Sequence, residues 1–232
     1  MKTAYFKLAQ EIPFQHENKD TFVISFDLET TGLSTRSSNP ARIIQLGGTL
    51  FSTPALLPMT TARHFNMLAG LGKDEKLDPK ITQITGITDD DLALARPLDT
   101  VLQEFVKWVD TLATEQKWKE VILVAHNCFM FDKPLLLEWM RRHQVVFVQP
   151  VYFADSLPLC KSVKPEKPHT LAKMLEFFWK QEDQKCPEQV HQALDDTLAL
   201  DFILRSIAKH EHKELLDKLF HPNCLQVLLI KK

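Results

Sequence analysis

The sequence predicts an α/β domain built on a mixed β-sheet, and three features indicate this class. The segment FVISFDLETTGL (22–33) opens like a buried strand, and RIIQLGGTLF (42–51) is typical of a second strand that returns beside it. The run VILVAHN (121–127) is continuously apolar, as expected for a buried parallel strand. Amphipathic helical patterns alternate with the later strands, as they do where helices cover the faces of a mixed sheet.

The elements after the first two strands follow in chain order. A third strand is predicted near ARHFNML (62–68). Breaks at Gly86 and Pro97 predict short helical pieces, followed by an amphipathic helix from about Leu98. Further helices are predicted over HTLAKMLEFFW (169–179) and VHQALDDTLALDFILRSIAKH (190–210), with the apolar run in the tail HPNCLQVLLIKK (221–232) as a final packed segment.

Two segments between these helices contain prolines that limit their structure. DKPLLLEWMRRH (132–143) predicts a helix with Asp132 suited to its cap and Pro134 to its first turn. VVFVQPVYFADS (145–156) predicts a strand that Pro150 either places at the edge of the sheet or splits.

Composition predicts one folded domain over residues 21–232, preceded by a polar extension over residues 1–20. A formal net charge of -2 over 232 residues argues against a globally basic nucleic-acid coat, but it is compatible with a local basic rim. The 4 cysteines form no CxxC pair, and the first residues contain no apolar run of signal-peptide length. We therefore expect an intracellular, cytoplasmic protein without a membrane span, with a nuclear location as the alternative. The long spacings of Cys160, His169, Cys186 and His191 disfavour a structural zinc site.

The first strand carries two carboxyl groups among its core residues. Asp27 and Glu29 are two positions apart, so their side chains lie on the same face of the strand. Two like charges in a core strand are costly unless a cation or a shared proton offsets them. The alternative is an exposed strand end whose acids are solvated. The sequence Thr30-Thr31-Gly32 is typical of a turn, which would bring the acids to an accessible edge.

A second unusual acid lies in the last long helix. With Asp196 at position i, the residues at i+3, i+4, i+7 and i+11 are all apolar, namely Ala199, Leu200, Ile203 and Ile207. The same offsets from Asp195 include Ser206, so the pattern mildly favours Asp196 as the buried acid. The alternative is an aspartate that only favours the positive end of the helix dipole. Asp132 is similarly ambiguous, because it suits a helix cap but also follows a buried strand, at a corner where α/β folds bind ligands. Together, Asp27, Glu29, Asp132 and Asp196 could form a site of oxygen ligands for Mg²⁺ or Mn²⁺.

Three segments resemble the motifs of one known family in the same order. FDLETTGL (26–33) resembles the first motif of the DnaQ-like, or DEDDh, 3′-to-5′ exonucleases, HNCFMFD (126–132) resembles the second, and HQALDD (191–196) resembles the third. ITQITGITDDDL (81–92) is similar to the short helical segment of these enzymes. The resemblance covers roughly residues 21–208. It implies a ribonuclease H-like fold, in which α-helices flank a mixed β-sheet.

The resemblance also implies a catalytic site. Asp27, Glu29, Asp132 and Asp196 match the four acidic positions, which hold two Mg²⁺ ions that Mn²⁺ can replace. Asp27 would bridge the ions, and Asp132 would hold the second mainly through water. His191 matches the catalytic histidine that accepts a proton from the attacking water. On an ideal helix His191 would share a face with Asp195, so we expect it on the chain just before the helix.

The expected substrate is a single-stranded nucleic acid with a free 3′ end, and the expected products are nucleoside 5′-monophosphates. We expect the terminal nucleotide to contact Thr30, Thr31, Gly32 and Leu33, with His126 and Asn127 beside it. DNA is favoured over RNA, although an exoribonuclease of the same fold and an inactive nucleic-acid-binding scaffold are alternatives. Lys161, Lys164 and Lys167 would either contact the strand or be solvated. A polymerase or homodimer partner is not predictable from these motifs. The sequence departs from the resemblance at Thr85, where relatives often carry histidine, so a substrate contact at this position is in question.

Overall fold

The computed structural model describes residues 21–35, 38–51, 63–72, 75–117, 120–181, 191–210 and 225–228. The predicted amino-terminal extension over residues 1–20, and Cys186, lie outside the described residues. The described part contains a six-stranded mixed sheet and seven helices. This architecture confirms the predicted α/β class. No helix within these described ranges is both long and apolar enough to cross a membrane.

The sheet has the strand order β3-β2-β1-β4-β5-β6. Strands β1, β2 and β3 form an antiparallel meander, β4 and β5 run parallel to β1, and β6 is antiparallel to β5. The strands are β1 (Thr21–Thr30), β2 (Ile43–Leu50), β3 (His64–Leu68), β4 (Glu120–Ala125), β5 (Val151–Asp155) and β6 (Leu225–Leu228).

The helices follow the predicted breaks. Gly86 ends the first helix in the left-handed conformation with φ 73°, and the amphipathic helix begins at Leu98 as expected. The helices are α1 (Pro79–Thr85), α2 (Asp89–Ala93), α3 (Leu98–Gln116), α4 (Asp132–Arg142), α5 (Ser156–Val163), α6 (Leu171–Gln181) and α7 (Ala193–His210).

Two apolar layers cover the faces of the sheet. Side chains of β1 alternate between them as the period of two predicts: Ile24, Phe26 and Leu28 pack with α3 and α4, whereas Val23 packs with α5, α6 and α7. The central strand β4 also contributes to both layers, which explains its continuous apolar sequence. The sheet is therefore buried on both faces, and polar side chains on it require a specific reason.

Pro150 marks the start of a strand rather than an edge of the sheet. Strand β5 begins at Val151, directly after the proline, and lies between β4 and β6. Of the two alternatives for this segment, the edge position is wrong, because β6 from the tail covers that side of β5. The proline instead ends the preceding irregular segment, where its missing N–H removes no ladder hydrogen bond.

Candidate active site

The carboxyl-terminal ends of the parallel strands β1 and β4 open onto one cleft of about 450 Å³. The first residues of α4 and α7 border the same cleft. Ligands commonly bind at this end of the strands in α/β sheets. The cleft brings together side chains from four separate segments: Asp27, Leu28, Glu29, Leu33, His126, Asn127, Met130, Phe131, Asp132, His191 and Asp196.

Three of the predicted acids form a compact cluster. One carboxylate oxygen of each of Asp27, Glu29 and Asp196 lies within 4.8 Å of the other two. Asp27 and Glu29 are neighbours on one face of β1, and Asp196 comes from the first turn of α7. Asp132 does not belong to this set of three, but its charge helps to raise the pKa of Asp27, so it lies close to the cluster.

The cleft disfavours the ionised form of these carboxyl groups. Burial, and next the charges of the three other acids, raise the pKa of Asp27 well above its usual value. Burial and the charge of Asp196 raise the pKa of Glu29 to about 7. Burial also raises the pKa of Asp132 to about 8, although hydrogen bonds with the backbone of Asp132 and Leu28 oppose this shift. The environment therefore favours the protonated forms of Asp27, Glu29 and Asp132 unless a cation offsets the repulsion among the acids.

This donor set fits divalent ions that prefer oxygen ligands. Mg²⁺ and Mn²⁺ bind carboxylates, and a cation among Asp27, Glu29 and Asp196 would offset the repulsion that helps to raise the pKa values of Asp27 and Glu29. The spacing of the three oxygens brings them within reach of one ion. Asp132 lines the same cleft as these three acids.

Asp132 does not cap α4, contrary to the sequence prediction. The cap position is Phe131, which makes no side-chain capping hydrogen bond, and Asp132 is the first residue of the helix. Its side chain is 3% exposed and makes a hydrogen bond with the backbone of Leu28 on β1. The acid thus points across to the strand of Asp27 and Glu29, which suits a ligand better than a cap.

The start of α7 determines which of its two aspartates enters the cleft. Asp196 is 8% exposed and belongs to the acid cluster, whereas Asp195 is exposed. The helix is therefore oriented as its apolar pattern predicts. Gly47 of β2 permits this close approach, because an added Cβ would lie only 2.5 Å from the carbonyl carbon of Ala193.

His191 lies on the chain two residues before α7, as predicted from its helical angle to Asp196. Its side chain is exposed and lines the cleft beside the acids. This position gives it access to water and to the cluster at the same time. Its role as a general base remains a prediction.

The turn after β1 has a defined hydrogen-bonded shape. The Thr30 hydroxyl donates to the Gly32 carbonyl at 2.7 Å, and the backbone N–H of Arg42 donates to the Thr31 hydroxyl at 2.9 Å. Leu33 extends beyond this turn with 85% exposure and lines the cleft. Thr30, Thr31 and Gly32 thus form the turn, and Leu33 offers an apolar surface to a ligand.

His126 connects the cleft wall to the segment between α5 and α6. Its Nε2 lies 2.6 Å from the His169 carbonyl, and its Nδ1 lies 2.9 Å from the Ser156 hydroxyl. A carbonyl only accepts, so Nε2 carries the proton and Nδ1 accepts from Ser156. Burial lowers the pKa of His126, which favours this neutral form. Both ring nitrogens of His126 are therefore engaged within the protein.

The model of the RNase_T family, described as Exonuclease, matches residues 24–201. The chain belongs to this exonuclease family. The match confirms the resemblance to DnaQ-like exonucleases, whose motifs lie within the matched residues.

The chain is also similar to individual proteins, by sequence to one relative and by fold to solved structures. It is 32% identical over 160 residues to the DNA polymerase III PolC-type protein of Streptococcus pneumoniae serotype 2 (strain D39 / NCTC 7466). The aligned region covers 68% of this chain but 9% of that protein. It therefore corresponds to about a tenth of the length of this relative. The nuclease domain of 3′hExo, a DEDDh family member bound to rAMP, matches with a TM-score of 0.61 and 16% identity, covering 92% of this chain and all (100%) of that domain. Exonuclease X in complex with 5′ overhanging duplex DNA matches with a TM-score of 0.54 and 15% identity, covering 85% of this chain and 97% of that one. At these identities, the two structures show a common fold.

Thr85, at the position where related exonucleases often carry histidine, has a structural role. Its hydroxyl donates to the Ile81 carbonyl at 3.0 Å and accepts from the backbone N–H of Ile87 at 3.1 Å. Thr85 is buried, and both hydrogen bonds stabilise the junction between α1 and α2. A side chain engaged in this way is not presented to a substrate.

Of the three lysines that were candidates for strand contact, Lys164 is engaged within its own segment. Its ammonium group donates to the Glu166 carbonyl and lies 6.0 Å from the centre of the Phe177 ring. Lys161 and Lys167 are exposed, and the charge of Lys161 contributes to the lowered pKa of His126. Lys161 is therefore the lysine of this set that lies near the cleft wall.

Sequence reasoning missed Asp155, the last residue of β5. Its carboxylate is 4% exposed and accepts hydrogen bonds from the backbone N–H groups of Asn127 at 2.9 Å, Phe129 at 3.2 Å and Leu157 at 2.9 Å. It thereby fixes the turn between β4 and α4, in which Asn127 has a left-handed φ of 65°. The sequence shows an acid at the end of a predicted strand, but the contacts of this acid follow only once β5 is known to lie beside β4.

Proposed function

We propose that the chain is a 3′-to-5′ exonuclease that hydrolyses the terminal phosphodiester of single-stranded DNA and releases nucleoside 5′-monophosphates. The grouping of the Asp27, Glu29 and Asp196 carboxylates, with Asp132 and His191 on the same cleft, is the observation that carries this proposal. Its support from sequence is the match of residues 24–201 to an exonuclease family.

Each acid has a distinct role in this proposal. Asp27 would be a ligand in both of two Mg²⁺ sites, Glu29 and Asp196 would complete one of them, and Asp132 would help to hold the second. When bound, the two ions supply Lewis acidity that lowers the pKa of water and neutralises charge on the phosphate and the departing 3′ oxygen. The protein holds its carboxylates close together, so that they are available as ligands without a large rearrangement.

His191 acts as the general base. Its exposed side chain at the rim of the cleft accepts the proton of the attacking water, a role for which a neutral imidazole nitrogen is a suitable acceptor. Its position on the irregular chain before α7 leaves it free to meet water beside the acids.

The apolar surface of the cleft binds the end of the strand. Leu33 is 85% exposed and Met130 is 67% exposed, and both line the cleft together with Phe131. Apolar side chains displayed beside acids suit the faces of unstacked bases, which occur in single strands. Thr30, Thr31 and Gly32 shape the turn below the terminal sugar, and His126 and Asn127 form the opposite wall.

DNA is the favoured substrate because the curated relative is a DNA polymerase and the exonuclease X structure contains DNA. The second candidate is an exoribonuclease, which the rAMP bound to the 3′hExo domain favours. The two substrates differ at the 2′-hydroxyl, so contacts to the terminal sugar decide between them.

A parallel digestion tests both the activity and the substrate. Matched DNA and RNA oligonucleotides with a 5′ label are incubated with Mg²⁺, with Mn²⁺ and with excess EDTA. We expect a ladder that shortens from the 3′ end, faster degradation of DNA and no degradation in EDTA. A 3′-blocked oligonucleotide and Asp27→Asn serve as controls. Equal activity in EDTA would contradict the metal mechanism, and faster loss of RNA would favour the second candidate.

A further inference from the structure

The first turns of α7 rest on three residues of one face of β2. Gln45, Gly47 and Thr49 alternate along the strand, so their positions share a face. In the antiparallel register they are paired with Glu29, Asp27 and Ser25 of β1, respectively. The strand that receives the helix is therefore in fixed register with the strand that carries two of the cleft acids.

Gln45 provides a hydrogen bond that the start of α7 requires. The first N–H groups of a helix have no partner within the helix, and Ala193, the first residue of α7, is fully buried. The Gln45 side-chain oxygen accepts from the backbone N–H of Ala193 at 3.1 Å. Gln45 itself is 4% exposed, so water does not readily replace it.

A second hydrogen bond orients the Gln45 amide. Its Nε2 donates to the side-chain oxygen of Asn66 on β3 at 3.0 Å, which leaves the Gln45 oxygen directed at the helix. Gly47 sets how closely the helix approaches, since its missing side chain permits direct backbone contact with Ala193. Close contact alone does not prevent the helix from sliding along the strand, whereas a hydrogen bond is directional.

We infer that Gln45 is a positioning residue for His191 and Asp196. His191 lies two residues before Ala193, whose backbone N–H donates to Gln45. The backbone N–H of Asp196 donates to the Gln192 carbonyl at 3.0 Å, so Asp196 belongs to the same first turn. Gln45 fixes this turn against β1 and β2 and thereby sets where the histidine and the acid meet the cleft. The inference rests on the proposed function for its effect on catalysis.

Two substitutions separate this role from simple packing. Gln45→Met keeps the size of the side chain but removes the acceptor, whereas Asn66→Ala removes only the partner that orients the Gln45 amide and leaves the acceptor in place. We expect Gln45→Met to lower kcat on a DNA oligonucleotide roughly tenfold or more with a KM within about twofold of wild type. Asn66→Ala should lower kcat by less than Gln45→Met does.

Tyr152→Phe is the matched control. It removes a side-chain hydrogen bond to Glu120 at 3.1 Å from a buried residue of the same sheet, at the end of β5 away from Asp155. It should lower thermal stability by an amount comparable with Gln45→Met and leave kcat unchanged. If Gln45→Met also keeps the wild-type kcat, or if Tyr152→Phe lowers kcat as much as Gln45→Met, the positioning role is wrong.

Hydrogen exchange and Mn²⁺ binding test the inference without nucleic acid. Backbone exchange over residues 191–197 should be faster in Gln45→Met than in wild type or Tyr152→Phe, and calorimetry should show weaker Mn²⁺ binding. These measurements remain decisive if the wild type degrades no oligonucleotide, an outcome that would overturn the proposed function alone. If Gln45→Met fails to fold, Asn66→Ala replaces it, and unchanged exchange over residues 191–197 in that variant would overturn the inference.

Discussion

Two glutamates in this chain experience opposite environments. Glu29 faces the cleft, where burial and the charge of Asp196 raise its pKa to about 7. Glu138 lies on α4, where hydrogen bonds from Arg141 and then Arg142 lower its pKa to about 2. The same side chain is stabilised in its charged form at one site and in its protonated form at the other.

The comparison distinguishes an acid whose charge is stabilised by neighbouring cations, Glu138, from acids whose neighbours are other carboxyl groups. Glu138 forms ion pairs with Arg141 and Arg142, which follow it at i+3 and i+4 on the same helix. The charges that raise the pKa of Asp27, in contrast, all belong to other carboxyl groups. A cluster of this kind costs stability in the metal-free protein and becomes favourable only when a cation binds, which is typical of functional sites.

The largest expected effect is that of Asp27→Asn. The substitution preserves shape but removes a charge from the proposed bridging position, so activity should fall by roughly a thousandfold or more. The same change should raise the stability of the metal-free protein, because it relieves repulsion. Nuclease assays and thermal unfolding measure the two effects. A folded Asp27→Asn protein with wild-type turnover would contradict the role of β1.

Asp196 and Asp195 form a matched pair for the next effect. Asp196→Asn should reduce activity by roughly a hundredfold or more and weaken Mn²⁺ binding, because its side chain belongs to the cluster. Asp195→Asn should leave both within about threefold of wild type, since Asp195 is exposed. Calorimetry and oligonucleotide digestion compare the two variants. A stronger effect of Asp195→Asn would mean that α7 presents the other aspartate to the metal.

A smaller loss of activity is expected from His191→Ala. Removing a positioned general base typically costs on the order of a hundredfold in rate, and the acid cluster should continue to bind metal. The measurement is the pH dependence of kcat in both proteins, together with Mn²⁺ affinity. At saturating metal the variant should lose turnover at every pH tested, while its Mn²⁺ affinity should stay within about twofold of wild type. Near-normal turnover with an unchanged pH profile would exclude His191 as the base.

The sequence was sufficient where local periodicity determines structure. The period of two placed Asp27 and Glu29 on one face of β1, and the helical period distinguished Asp196 from Asp195. The resemblance supplied the order of the motifs. These features depend on residues close together in the chain, so they could be predicted without knowledge of packing.

Features that depend on which strands are neighbours could not be predicted in this way. The importance of Asp155 follows from β5 lying beside β4, and that of Gln45 follows from α7 docking on β2. Asp132 appeared suited to a cap, but its contact with the backbone of Leu28 shows that tertiary packing determines its direction. Each of these side chains contacts backbone from a distant segment.

The raised pKa values of the cleft acids predict a moderate effect on stability. When the pKa of an acid is higher in the folded state, the folded protein binds more protons than the unfolded chain at pH values between the two pKa values. Stability therefore falls as pH rises from the unfolded-state pKa to the folded-state pKa. For Glu29 this interval runs from 4.5 to about 7, and for Asp132 from 3.8 to about 8. The melting temperature of the metal-free protein should therefore fall by on the order of 10 °C or more between pH 5 and 8.

Metal provides the control for this pH effect. Millimolar Mg²⁺ or Mn²⁺ should raise the melting temperature more at pH 8 than at pH 5, because protons compete with the ion at the lower pH. Asp27→Asn should reduce both the fall with pH and the recovery by metal. Equal stabilisation at both pH values would show that the ion binds elsewhere on the protein.

The smallest expected effect belongs to Glu138→Gln. Glu138 has a folded pKa lowered from 4.5 to about 2, so its contribution to stability is complete above pH 4.5 and is lost only as pH falls through about 2. Its ion pairs lie near the surface, where such contacts contribute about 1 kcal/mol or less, so the melting temperature should fall by no more than about 4 °C. This decrease should be the same at pH 5 and pH 8, and activity should be unchanged. If Glu138→Gln instead flattened the fall in melting temperature between these values, the pH effect would arise from the helix surface, and the contrast between the two glutamates would be wrong.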